Sequence, residues 1–184
     1  LEQSPKGSRP LKAIRDGRKK ERQSLMNHPV LTIVLAGIVA CLVLDLWQQL
    51  LKRLLEIPAS NWAVVGRWFI RTWRVKTMYQ PTIDAEPPEP RELRVGWLVH
   101  YAVSMGYAAV LYALMTVVPV FKPTLFAGCF FGALSVAVPW FYFMPCMGKG
   151  VMARHSAAPV KACCLALANH LVYGVALTLS LGWM

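Results

Sequence analysis

Charged side chains are scarce in this chain. Only 16% of its 184 residues are Asp, Glu, Lys or Arg, against about 25% in a soluble domain. With 56% of the residues hydrophobic, an ordinary water-soluble globule is excluded. Signatures of the commoner chemistries are also missing. The five cysteines (Cys41, Cys129, Cys146, Cys163 and Cys164) form no CxxC and no Cys/His ligand spacing. They fall within or at the ends of apolar runs and read as small packing residues. There is no Gly-rich phosphate loop, no Ser/His/Asp arrangement and no paired-carboxylate site. No cofactor and no metal is implied.

What remains is apolar sequence in long runs. A bilayer-spanning helix needs about 20 apolar residues, and four segments meet that length, near 30–51, 95–120, 125–147 and 160–183. The expected fold is all-α: a polytopic bundle of four transmembrane helices, one membrane domain over 26–184. Residues 1–25 lack methionine and carry eight Lys and Arg without apolar periodicity. They read as a basic disordered tail, upstream or appended to a chain that starts at Met26. Ile38-Val39-Ala40-Cys41 resembles a lipoprotein cleavage box, but the residues after Cys41 stay apolar, as a span requires.

The net charge of +11 would suit a nucleic-acid binder, yet the cations lie at the ends of the apolar runs and in the loops. There they match anionic lipid head groups, and nucleic acid is excluded as a partner. The loops after the first and third spans hold eight and two Lys and Arg, with Lys161 at the start of the fourth span beside them, whereas the opposite side, counted from Met26, holds only Lys122. The positive-inside rule then places loops 52–94 and 148–159 in the cytoplasm and both termini outside. A native basic tail would nearly erase this asymmetry.

The first loop carries a helical pattern. Ser60 suits an N-cap; Trp62, Val65, Phe69 and Trp73 recur on one face, and Arg67, Arg71 and Arg74 on the other. Trp62, Trp68 and Trp73 with the three arginines suit a helix in the membrane interface, aromatic anchors in lipid and guanidiniums toward phosphates. Packing against the end of the bundle is the alternative. Gln80 to Pro90, with four prolines and three acidic residues, reads as an extended linker.

Polar groups inside the apolar runs are the candidate site, since an ionisable residue in hydrocarbon costs about 3 kcal/mol to insert. Asp45 lies roughly 22 Å along the first span at 1.5 Å per residue, in the cytoplasmic part of the membrane, and His100 about 7 Å into the second span from that same side. The two fall at similar depth, where they either form a relay or gate, or simply mark an interface. Ser104 and Tyr107 follow His100 at helical spacing. Asn169 and His170 sit mid-way through the fourth span, as interhelical glue or as part of the relay. His100, His170 and Asp45 are metal-ligand types without diagnostic spacing. In the third span, Gly128 and Gly132 form a GxxxG that lets a helix approach, within the bundle or in a dimer. Pro139 and Pro145 interrupt the same span, kinking it or opening a substrate site. The short turn at 121–124 makes the second and third spans antiparallel neighbours.

Taken together, Asn61-Trp62-Ala63-Val64-Val65-Gly66-Arg67-Trp68, Gly96-Trp97-Leu98-Val99-His100-Tyr101, Pro139-Trp140 with Pro145 and Gly148-Lys149-Gly150, and His170 with Gly174 resemble a family of small bacterial inner-membrane proteins known only as a domain of unknown function. The resemblance runs from about Val30 to the end. It implies a four-helix inner-membrane protein with a cytoplasmic loop helix, and it singles out Asp45, Asn61, Arg67, His100 and His170. It carries no catalytic role to transfer. Two functions follow as expectations: passage or sensing of protons or a small solute through the polar groups, or a non-catalytic scaffold whose loop helix docks lipid, a protein partner or a homo-oligomer. A membrane enzyme acting on lipid head groups is a third, weakened by the lack of a nucleophile–base pair.

Overall fold

The structure is a computed structural model that describes Gly17 and residues 28–184. The expectations of a disordered tail and of a start at Met26 therefore lie, Gly17 apart, outside the described residues. Among the described residues all regular structure is helical. Four stretches are long and apolar enough to cross a membrane: Pro29–Leu55 (α1), Glu92–Val117 (α3), Leu125–Cys146, which opens with α4 (Leu125–Ser135), and Pro159–Trp183 (α5). A further helix in the first loop, Trp62–Val75, is α2. Leu46, Leu98 and Val160 are 70%, 71% and 77% exposed, an outer apolar surface that only lipid tails would cover at no cost.

Element ends differ from the sequence expectation for local reasons. α1 runs four residues beyond 51 because Lys52 and Arg53 favour the last turn of a helix, where the carbonyl dipoles point. α3 stops at Val117 rather than 120, since Pro119 forces the residue before it, Val118, into an extended conformation. The N-cap of α2 is Asn61, whose side chain accepts from the Val64 N–H, and not Ser60. The Ser60 N–H instead donates to the Gln48 side chain of α1 at 2.8 Å. The third span is broken: after Ser135 the chain turns at Val136, and Pro139–Phe143 forms a π-helical segment before a last turn at Met144–Cys146. Proline without an N–H supplies the physical cause.

α1 packs on α3 and α5, α4 packs on α5, and α2 packs on α3. The second and third spans, despite their short turn, do not bring their backbones together. They meet through side chains, Tyr107 reaching Phe131 and the Ser135 carbonyl, because a cavity lies between them. Small residues set the close seams instead. At Gly128, Gly132 and Gly174 any Cβ would run into the backbone of the facing helix, so α4 and α5 cross almost in contact. The GxxxG thus packs inside the bundle. Gly66 and Gly96 make the same kind of seam between α2 and α3.

The main apolar core gathers Ala36, Ala40, Ala108, Leu111, Phe131 and Leu177 from all four spans. A second cluster, Val64, Trp68, Ile83 and Met147, lies at the loop end. Ile83 belongs to the stretch expected to be an extended linker. That stretch folds back over α2, with the Gln80 N–H donating to the Cys146 carbonyl at 2.7 Å and the Gln80 side chain to Trp68 and Thr72.

Candidate functional site

The arrangement begins with two turns of α1. Cys41 and Asp45 are four residues apart and so share one helix face, and that face meets His100 of α3. His100 Nε2 lies 3.0 Å from Asp45 Oδ1 and 3.1 Å from Cys41 Sγ. The Tyr101 hydroxyl donates to Asp45 Oδ2 at 3.2 Å. Trp62 of α2 stacks on the His100 ring with centroids 3.8 Å apart, fixing its plane. One imidazole nitrogen, which carries at most one proton, therefore serves two partners.

One turn further along α3, the Ser104 hydroxyl donates to the Gly37 carbonyl at 2.7 Å and lies 3.0 Å from the Tyr173 hydroxyl of α5. Tyr107 reaches Ser135. The polar stripe His100–Ser104–Tyr107 thus faces the bundle interior and ties α3 to each of the other spans. His170 is held separately. The Ser135 hydroxyl donates to the Gly132 carbonyl at 2.9 Å, so the His170 Nδ1–H donates to Ser135 across 2.8 Å and leaves Nε2 as an acceptor. Asn169 accepts from the Trp47 indole N–H at 3.1 Å.

Between these groups lies a cavity of about 430 Å³ lined by His100, Ser104, Tyr107, Asn169, His170 and Tyr173. Ser60, Asn61 and Lys149 line it where the two loops meet, whereas the apolar core closes the other end around Leu111, Phe131 and Leu177. It is a vestibule in shape, running from the loop end into the bundle. Pro139 is part of its wall, through the break in the third span; Pro145 begins the exit turn.

Two of the loop-helix residues expected to face lipid lie inside the protein. Arg67 is 7% and Trp68 5% exposed. Arg67 forks onto Glu92 at 2.8 and 3.1 Å and donates to the carbonyls of Ile83 and Glu86. The hydrogen bonds it donates to Glu92 hold its pKa above the ordinary arginine value. Arg71 pairs with Glu86 at 3.2 Å and Arg74 with Glu89 at 2.9 Å. The acidic linker thus neutralises the arginine face that charge pattern alone assigned to phosphates. Trp62 stacks on His100, and only Trp73, 73% exposed with Lys76 over its ring, stands clear of the protein.

Sequence reasoning overlooked Cys41, Tyr101, Ser135 and Tyr173. For Cys41 the signal was its place one turn before Asp45; for Tyr173, its place one turn after His170. Among the described residues, Cys41, Asp45 and His100 offer ligand atoms all within 4.8 Å of one another. His170, weighed beside Asp45 and His100 for a metal, belongs to the Ser135 bond instead.

Four apolar spans, a broken third helix and a polar vestibule define a multi-pass helical membrane protein. Residues 34–184 match the family described as "Protein of unknown function (DUF2938)", and the chain belongs to that family. No curated protein and no solved structure matches it.

Proposed function

We propose that this is a transport-class protein of the bacterial inner membrane, which admits protons or a small polar solute to the vestibule and handles them at Asp45, His100 and His170. The observation that carries the reading is the cavity itself, walled by two histidines, an asparagine and three hydroxyls within spans that otherwise present hydrocarbon. Buried ionisable groups beside a wettable cavity are the usual makings of an ion or proton path. The ten Lys and Arg of the two loops, with Lys161 at the adjoining end of the fourth span, favour a vestibule facing the cytoplasm. The scaffold reading has less support, because Arg67, Arg71 and Arg74 are already paired within the chain.

The test is proton flux in proteoliposomes driven by a potassium diffusion potential and read with an entrapped pH dye. The wild type is expected to conduct, and Asp45→Asn and His100→Ala, at equal abundance, to lose most of the flux. Wild-type rates in both variants sink the reading, and so does a wild type that leaves protons and small polar solutes alike outside.

A further inference from the structure

We infer that Cys41, Asp45 and His100 form a binding site for a divalent transition-metal ion of the zinc class, held inside the membrane between α1 and α3. The inference is independent of solute passage, since an ion bound between α1 and α3 braces the two helices whether or not anything passes.

Three observations carry it. First, a thiol sulfur, an imidazole nitrogen and a carboxylate oxygen converge within 4.8 Å from two helices. With metal–ligand bonds of about 2.0–2.3 Å, a tetrahedral ion needs its ligands about 3.5 Å apart. Here Sγ–Nε2 is 3.1 Å and Nε2–Oδ1 is 3.0 Å, so insertion asks each side chain to give by a few tenths of an ångström. Second, the mixed S/N/O set suits a borderline-soft ion and suits neither magnesium nor calcium, which take oxygen. Third, the charge closes. A thiolate and a carboxylate offset a divalent cation, leaving a neutral complex where an unbalanced charge in hydrocarbon is costly. Among the described ion pairs, Asp45 has His100 and no Lys or Arg.

Binding displaces the thiol proton of Cys41, and any proton on Asp45, to water, while His100 ligates through Nε2 in its neutral form. The stacking of Trp62 and the Tyr101 hydrogen bond to the second Asp45 oxygen orient two of the ligands. His100 also lines the vestibule, which gives a fourth ligand, water or solute, a route to the ion from the loop end.

The experiment is a Co²⁺ titration of the full chain in detergent after chelator treatment, with Zn²⁺ as competitor. The expected result is one Co²⁺ per chain, with tetrahedral ligand-field bands and a thiolate-to-cobalt charge-transfer band, both abolished by Zn²⁺. Serine at Cys129, Cys146, Cys163 and Cys164 together is expected to keep the charge-transfer band, and Cys41→Ser to remove it. Asp45→Asn should weaken binding by at least about tenfold. X-ray absorption of the Zn²⁺-loaded wild type provides a readout free of any folding defect in a variant: one sulfur among lighter N/O neighbours is expected. A wild type without the cobalt bands, a charge-transfer band that survives Cys41→Ser, or a zinc shell without sulfur overturns the inference.

Discussion

An Arg67→Ala chain is expected to lose about 3 kcal/mol of stability, enough to detach α2 and the linker from the bundle. Removing one partner of a buried ion pair costs about 3–5 kcal/mol because the other charge is left desolvated. The lower end applies here, since Glu92 sits at the loop end within reach of water. The loss is larger than a single pair suggests in one respect: the same guanidinium also satisfies the Ile83 and Glu86 carbonyls. Arg67→Lys should rescue little, as an ammonium lacks the planar fork that meets both Glu92 oxygens. Arg74→Ala is the matched control. Its pair with Glu89 has an arginine side chain 63% exposed, and exposed pairs contribute under about 1 kcal/mol. Denaturation in micelles followed by Trp fluorescence measures all three. Equal losses for Arg67→Ala and Arg74→Ala would mean that the buried fork does not hold the loop.

Gly174→Ala should be nearly as damaging, at about 2 kcal/mol, the usual cost of forcing a methyl into a full interface. Its Cβ would meet the Gly128 carbonyl and lie 2.7 Å from the Gly132 nitrogen and 2.8 Å from its Cα. Backbone atoms cannot rotate aside, so α4 and α5 must separate. Separation also lengthens the Ser135–His170 bond that fixes one wall of the vestibule. Gly106→Ala, on α3, is the control, because a Cβ there meets nothing within 4 Å. It should be neutral or slightly stabilising through helix propensity. Thermal unfolding in detergent separates the two; a Gly106→Ala chain as unstable as Gly174→Ala would show that helix contact is not the cause.

Much of this was legible in the sequence, for reasons that differ by residue. Spans are set by length and apolarity alone, so four of them could be counted before any contact was known. Helical rise put Asp45 and His100 at one depth, and the structure joins them at 3.0 Å. The arginines of α2 were harder. A charged face reads the same whether its counterions are phosphates or glutamates, and Glu86, Glu89 and Glu92 reach it only because the proline-rich stretch folds back. The neighbour relations of the spans were also hidden. A short turn suggests that α3 and α4 pair, yet glycines decide which backbones can approach, and Gly128, Gly132 and Gly174 give α4 to α5. Cys41 was lost to its own chemistry, since a thiol in an apolar run resembles any small packing residue until a histidine faces it.

Thiol accessibility tests most directly whether a wettable vestibule enters this bundle from the loop end. Ala166 lines the cavity, and Ala108 is wholly buried in the apolar core. Each is replaced by cysteine, as Ala166→Cys and Ala108→Cys, in a chain that keeps Cys41 and has serine at the other four cysteines. Sealed vesicles of both orientations are then treated with a membrane-impermeant thiol reagent. Ala166→Cys is predicted to react only when the loop side is exposed to the reagent, and Ala108→Cys and the parent chain to react from neither. Silence at Ala166→Cys from the loop side would contradict the account, and reaction from the far side alone would reverse it.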